Sequence, residues 1–310
     1  LRKSKMQLPR LLGNERFKKA LAPFFRENFP QAAIIEGAAG LGKKTAAFDI
    51  AQALMCGGEA PPCGRCGPCV RMQAGSHPDY RLFNPEGGPV KVDDIRQARR
   101  LSFIRPSEAA QKVFVVNDAG RMNVQAQNAL LKVLEEPQQP IFLLLCQQAE
   151  QLLETVRSRC VRFRLEPLSE QEIRRQLEER APQATAEDRE AALARCGGSL
   201  GQALRRIQEG PGKTEALAAR FVRALEQSEL AVLEACLEAG ALPREEFGQF
   251  CDESCLGLWE LAKKSPEKGW TLPVYDYLRG LSARVEVNAS ASAMSGALAA
   301  YCGGLIFAQN

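Results

Sequence analysis

No stretch of this chain restricts its fold more than residues 31–45, QAAIIEGAAGLGKKT. Residues 32–35 form a short apolar run of strand type, and residues 45–55 carry helical periodicity. Between them stands Gly37-Ala38-Ala39-Gly40-Leu41-Gly42-Lys43. Strand, glycine loop, lysine and helix in that order make a phosphate-binding loop. The glycines let backbone N–H groups approach phosphate oxygens, and the helix N-terminus adds a favourable dipole. Such a loop needs a hydroxyl directly after the lysine, as a ligand for Mg2+. Lys44 stands at that position, with Thr45 one residue further on. One residue along a helix is a rotation of about 100°, so Thr45 is expected to point elsewhere. An ammonium held ~4 Å from a divalent ion costs roughly 8 kcal/mol at an effective dielectric of ~20. Lys44 can swing away from that repulsion, yet it has no lone pair to give a metal. The expectation is a nucleotide-binding architecture with impaired metal chemistry of its own.

A second compact signature follows the helix: CGGEAPPCGRCGPC, with Cys56, Cys63, Cys66 and Cys69. Two CxxC steps share Cys66, and Cys56 lies upstream. Four thiolates can close one tetrahedral site and leave no open position for catalysis, which makes structural Zn2+ the expected ion. The other readings are redox-active or disulfide-bonded cysteines. The chain has 11 cysteines, which in a secreted protein would suggest disulfides. Metal-ligand spacing in four of them argues instead for a reducing, cytoplasmic compartment. The polar, basic start LRKSKMQLPR does not resemble a secretion signal. No apolar run reaches membrane-spanning length, and Ile141–Cys146 is only strand-sized. A net charge of +4 is too small to mark a nucleic-acid binder by itself.

The intervening segments are read from their patterns. Residues 11–25, LLGNERFKKALAPFF, are spaced as a helix that packs beside the first strand. His77, the single histidine, precedes Pro78 at a loop–strand junction, where a hydrogen-bonding surface role is expected rather than catalysis. Residues 92–103, VDDIRQARRLSF, read as an amphipathic helix. Its Arg96, Arg99 and Arg100, with Arg105 beyond, either touch a phosphate backbone or form a solvated or subunit-facing charged face. Residues 112–118, KVFVVND, suit a buried parallel strand ending in Asn117-Asp118. A hydrolysing P-loop protein ends this strand in two carboxylates, one orienting Mg2+ and one the attacking water. Asn117 is neutral, and Asp118 is shorter than the glutamate usual there. A turn cap at the strand end explains the pair equally well.

From residue 128 the motifs become specific. Residues 128–137, NALLKVLEEP, the run Ile141–Cys146 and residues 155–160, TVRSRC, resemble the bacterial DNA polymerase III clamp-loader subunits of the AAA+ class. The cysteines inserted after the P-loop helix fit the same family, and residues 72–80, MQAGSHPDY, look like its delta-prime branch. The resemblance covers roughly residues 11–204 and implies an α/β fold, an AAA+ P-loop domain with a parallel sheet. It also implies that Ser158-Arg159-Cys160 is the SRC motif, whose arginine reaches across a subunit boundary to a neighbour's ATP γ-phosphate. A fixed guanidinium donates to phosphate oxygens as charge builds there. The other reading of Arg159 is an intramolecular ion pair at a strand edge. Arg157 is nearby but off the motif. Three departures accompany this match. Motor subunits of the family carry threonine where Lys44 stands, an acidic pair where Asn117-Asp118 stands, and a lid arginine where Gly201 follows Gly198-Ser199-Leu200. Contact with a nucleotide through Gly37, Gly40, Gly42 and Lys43 stays open; Mg2+-dependent turnover of ATP is not expected.

Helical patterns run on to the end. Residues 169–179 open on the capping-box pair Ser169 and Glu172. Residues 185–196, closed by Gly197-Gly198, and 199–208 read as two more short helices, and residues 209–212, EGPG, as a linker. Beyond it, residues 214–226, 230–239, 244–262 and 273–286 have helical periodicity, while 289–306 are rich in Ala, Ser and Gly, which favours close helix packing. Cys251 and Cys255, one turn apart, are expected as core thiols rather than a chelating pair. The expected division is a P-loop core with its cysteine knuckle at 1–166, a three-helix lid at 167–210 and an all-α domain at 211–310. The resemblance makes the last a collar that joins subunits into a hetero-oligomeric ring.

These readings meet in a non-hydrolysing clamp-loader subunit of the DNA polymerase III holoenzyme, not catalytic alone. It would sit beside gamma/tau-like motor subunits and a delta-like subunit, and help load the sliding clamp on primed DNA. The alternative is an ATP-hydrolysing gamma/tau-like motor that tolerates an unusual loop. A third reading makes the knuckle and the arginine-rich helix a DNA-binding module.

Overall fold

The computed structural model describes residues 7–26, 28–135, 140–284 and 290–307. Residues 136–137 of the LEEP segment, 285–286 of an expected helix and 289 lie outside them. The chain divides into two compact units, Leu1–Ile207 and Gln208–Asn310.

The first unit runs α1 (Glu15–Arg26), β1 (Ala32–Glu36), α2 (Lys43–Met55), α3 (Gly67–Gln73), β2 (Tyr80–Phe83), α4 (Val92–Ser102), β3 (Val113–Val116), α5 (Val124–Leu134), β4 (Ile141–Cys146), α6 (Glu154–Arg157), β5 (Val161–Arg164), α7 (Glu170–Arg180), α8 (Ala186–Arg195) and α9 (Leu200–Glu209). Its five strands are all parallel, in the order β2-β3-β4-β1-β5. Both faces of the sheet are covered, so the central strands are continuously apolar. Alternate residues serve opposite cores. Ala33 and Ile35 of β1, with Leu143 and Leu145 of β4, pack with Phe17, Leu21, Ala46 and Ile50 of α1 and α2. Ala32, Ile34, Phe142 and Leu144 pack with Ile95, Leu130 and Val133 of α4 and α5. The sheet thus aligns the carboxyl ends of β1 and β3 at one rim, the place where open parallel sheets bind ligands.

Element boundaries shift from expectation for identifiable reasons. α1 starts at Glu15 rather than residue 11 because Gly13 and Asn14 are both left-handed, with φ of 53° and 56°. α2 starts at Lys43 rather than residue 45, since left-handed Gly42 (φ 89°) is its N-cap. Short α3 inside the cysteine segment was not expected; Cys66 is its N-cap and a proline sits in its first turn.

His77 requires a correction. It is buried, not a surface residue, and its Nδ1 accepts the N–H of Asp79 at 3.1 Å. Asp79 is also fully buried, and its carboxylate takes the N–H groups of Ser107 (2.8 Å), Glu108 (2.8 Å) and Ala109 (2.9 Å). Burial pushes this carboxyl up, but the three backbone donors and His77 outweigh it and hold Asp79 below its ordinary 3.8. A depressed folded-state value stabilises the fold above the unfolded value, and that contribution is lost as pH falls through the folded one. Asp79→Asn is therefore expected to cost about 3 kcal/mol at neutral pH, read as a lower denaturant midpoint. Its difference from the parent chain should shrink as pH drops below about 4; a difference independent of pH would contradict this account.

Helices α7–α9 share a small core of Ile173, Leu177, Ala192, Leu193 and Ala203, joined by Leu12 and Leu168. The expected cap of Ser169 with Glu172 forms at the start of α7, and a further one, Thr185 with Asp188, opens α8. The second unit contains α10 (Lys213–Ala224), α11 (Glu229–Gly240), α12 (Arg244–Lys264), α13 (Thr271–Arg284) and α14 (Ala291–Cys302). Its core is built on Phe221, Phe247, Phe250, Leu258 and Leu278. Gly240 of α11 lies so close to α14 that an added Cβ would stand 3.1 Å from Ser292 Cα, the close packing its small residues suggest. Cys251 and Cys255 are buried thiols, pushed up by burial to about 12 and about 11. No helix among the described residues is long and apolar enough to cross a membrane.

Candidate functional site

The P-loop leaves β1 at Glu36 and enters α2 through Gly37, Gly40 and Gly42, all at positive φ. Lys43 is buried, and its ammonium donates to the carbonyls of Gly37 (2.6 Å) and Ala38 (2.8 Å). Burial draws Lys43 below its ordinary 10.5, against the pull of Asp118. Lys44 does swing away: its Nζ donates to the Pro85 carbonyl at 3.2 Å. Thr45 lines a cavity of about 180 Å3 with Arg10, Leu11, Gly42, Arg180 and Leu204, among others. Asp49, a turn further along α2, is fully buried and accepts the N–H groups of Arg10 (2.9 Å) and Leu11 (3.2 Å). It thereby ties the segment before α1 onto the P-loop helix. Burial raises its carboxyl above the ordinary 3.8 despite these bonds.

Helix α9 packs against the loop. An added Cβ on Gly201 would meet the Gly40 carbonyl at 3.1 Å, and one on Gly40 would run into Ser199 Oγ. Gln202 Nε2 donates to the Ala39 carbonyl at 3.2 Å. Gly201 is where an arginine would act on a nucleotide in the resemblance above; here the absent side chain is what admits the loop backbone.

Asn117 and Asp118 are engaged elsewhere. Asn117 Nδ2 donates to the Asn84 carbonyl (3.1 Å), and Asn84 Nδ2 returns a bond to the Asn117 carbonyl (3.2 Å). Asp118, left-handed at φ 50°, accepts the Gly88 N–H at 3.0 Å. Both residues at the end of β3 therefore fasten the loop after β2, the turn-cap reading of this pair. Lys44 adds a tie to the same loop through Pro85.

The SRC segment lies between α6 and β5. Ser158 Oγ and Arg159 Nη1 both donate to the Thr155 carbonyl, at 3.1 and 2.9 Å. Arg159 Nη2 also donates to Glu135 Oε1 at 2.7 Å. The two side chains stay 40% and 54% exposed, so the pair contributes at most about 1 kcal/mol. Cys160 is partly buried and joins the α4–α5 side of the core; burial pushes its thiol up to about 12. Neighbouring Arg162 bridges Glu36 (3.1 Å) and Glu150 (2.8 Å). Glu135, Asp49, Arg10 and Arg180 were not singled out in the sequence. Only Asp49 had a visible signal, as an acid inside the otherwise apolar run of α2.

Cys56, Cys63, Cys66 and Cys69 have come together with all four sulfurs within 4.8 Å of one another. Cys56 Sγ and Cys66 Sγ are 3.9 Å apart, far beyond a disulfide bond and near the edge of about 3.8 Å for tetrahedral thiolates at ~2.3 Å from a metal. Backbone N–H groups of Gly58 and Cys63 point at Cys56 Sγ, and that of Cys66 at Cys63 Sγ. Those of Arg65 and Cys66 hold Cys63 down to about 6, while burial pushes Cys69 up to about 12. Four crowded thiolates need a cation to stay deprotonated together, and this donor set fits a soft or borderline metal.

The family model described as "DNA polymerase III, delta subunit" matches residues 13–169. DNA polymerase III subunit delta' of Pseudomonas aeruginosa is 32% identical over 274 residues, covering 85% of this chain and 83% of that protein. The tau subunit of Escherichia coli is 32% identical over 224 residues, 67% of this chain and 34% of that protein. In fold, the chain is similar to a solved DNA polymerase III gamma subunit-related protein from Thermotoga maritima, with a TM-score of 0.50, 19% identity and coverage of 93% of this chain and 98% of that one.

Proposed function

This chain belongs to the family of DNA polymerase III delta subunits, and from that premise we propose that it is the delta-prime-like stator of a clamp loader. In this reading it splits no ATP itself. It donates Arg159 to the ATP held by an adjacent gamma/tau-type subunit and helps load the sliding clamp on primed DNA. The observation that carries the reading is the contrast between its two candidate phosphate-handling ends. At the rim of its own P-loop, Asn117 and Asp118 fasten the Asn84–Gly88 loop, and Lys44 brings no hydroxyl. Arg159 lies at the surface, with its guanidinium bonded to Glu135 and to the Thr155 carbonyl. A guanidinium so placed can donate to phosphate oxygens as charge accumulates on them in transfer. Ser158 and Cys160 set the turn that presents it. We assign the cysteine site to one structural Zn2+, with no open coordination position. The lid, residues 167–210, and the collar, 211–310, complete the proposed division of the chain.

The test is direct. Purified alone, with Mg2+, ATP and primed DNA, the chain should release no phosphate above background, yet it should co-purify with gamma/tau-type subunits. Turnover that disappears in Lys43→Ala would replace this reading with the motor-subunit one.

A further inference from the structure

We propose that Glu135 is a positioning residue for Arg159, holding the guanidinium in a fixed plane before it meets a phosphate. The proposal rests on the trans-acting role given to Arg159 above. The guanidinium is gripped at two points, Nη1 by the Thr155 carbonyl at 2.9 Å and Nη2 by Glu135 Oε1 at 2.7 Å. Both acceptors are carried on packed helices. Glu135 is the C-cap of α5, its N–H bonded to the Leu131 carbonyl, and Leu130, Val133 and Leu134 of that helix are buried against the sheet. Thr155 lies in α6, whose Val156 is buried in the same core.

An exposed arginine without such a grip samples many rotamers, and ordering it on arrival of a ligand costs free energy. Two acceptors on packed helices narrow that freedom in advance, and they use only part of the donor set of a guanidinium. The remaining N–H groups keep the fork geometry that suits phosphate oxygens. Glu135 touches no nucleotide in this scheme and acts only through Arg159. Loss of its grip displaces the donor, and a misplacement of about 1 Å is enough to cost up to ~10²-fold in rate.

The experiment uses the full chain reconstituted with its motor subunits and measures steady-state ATP hydrolysis. Glu135→Ala should lower kcat by about 10-fold while KM for ATP moves by less than about twofold, because ground-state binding belongs to the neighbour. Glu135→Gln keeps the acceptor oxygen and should recover most of the rate. Arg159→Ala with Glu135→Ala should be no slower than Arg159→Ala alone, since the two act as a unit. Thermal midpoints of the variants should match the parent, which excludes a merely structural effect. Unchanged or raised kcat in Glu135→Ala, beside a crippled Arg159→Ala, would overturn the proposal and leave the trans-acting arginine standing. Unchanged activity in Arg159→Ala would remove both.

Discussion

Arg159→Ala should leave the chain folded and lower ATP hydrolysis at one site of the assembled complex by about 10³-fold or more. The two halves of this expectation have different physical origins. Folding is insensitive because Arg159 makes its bonds at the surface, to Glu135 and to a carbonyl. An exposed pair contributes at most about 1 kcal/mol, against a total stability of about 5–15 kcal/mol for an ordinary protein. Catalysis is sensitive because negative charge spreads over the transferring phosphoryl group and a guanidinium meets it there. A loss of ~10³-fold corresponds to about 4 kcal/mol of transition-state stabilisation. Arg159→Lys should restore only a small part of the rate, since a point charge lacks the planar fork. The measurement is the steady-state rate of the reconstituted complex, with circular dichroism and the melting temperature as the control for folding. A variant complex as fast as the parent would end the trans-acting role.

The sequence carried the central elements of this fold because they are marked by local chemistry. Glycines at 37, 40 and 42 announced a loop between strand and helix, and all three take positive φ. The apolar runs of β3 and β4 announced a sheet buried on both faces, and every residue of both strands is buried. Ser169 and Glu172 announced a helix start, and the reciprocal cap forms. The cysteine spacing announced a cluster, and the four sulfurs converge. What the sequence hid depends on contacts between distant segments. His77 looked like a surface loop residue, and nothing in the sequence pointed to its neighbour Asp79 as the acceptor for a turn 28–30 residues away. Asn117 and Asp118 left two readings open, and only the tertiary fold sets them against Asn84 and Gly88. Gly201 could be recognised as a missing arginine, but not as a residue whose lack of a Cβ lets α9 rest on Gly40. Glu135 was part of a quoted motif, yet only the tertiary fold sets it beside Arg159.

Metal analysis of the purified chain should return about one equivalent of zinc, and Cys66→Ser should abolish it. The expected structural consequence is large but confined. Structural zinc in small modules binds with about 10–16 kcal/mol of apparent free energy at neutral pH, and that energy is folding energy for the module. Residues 56–69 are rich in glycine and proline, and of the four cysteines Cys56 and Cys69 are buried while Cys63 and Cys66 are partly exposed. Ties of this segment to the rest of the unit include the Gln7 N–H to the Pro61 carbonyl at 3.0 Å and Gln52 Nε2 to the Cys69 carbonyl at 3.1 Å, while Met72 of the following α3 packs in the core beside α2. The two cores that flank the sheet take no residue from 56–69; they are built from the strands, the helices on either face and the segments that join them. Chelation should therefore abolish hydrogen-exchange protection in α3 and the knuckle, while the amides of β3 and β4 keep theirs. Replacing zinc by Co2+ should give the intense thiolate-to-metal absorption of a tetrahedral sulfur site, which links the loss of protection to these ligands. If the chain purifies without metal and α3 is as protected as in the metal-loaded protein, four thiols alone suffice to hold the knuckle; the argument from crowded thiolate charge would then be wrong at its root.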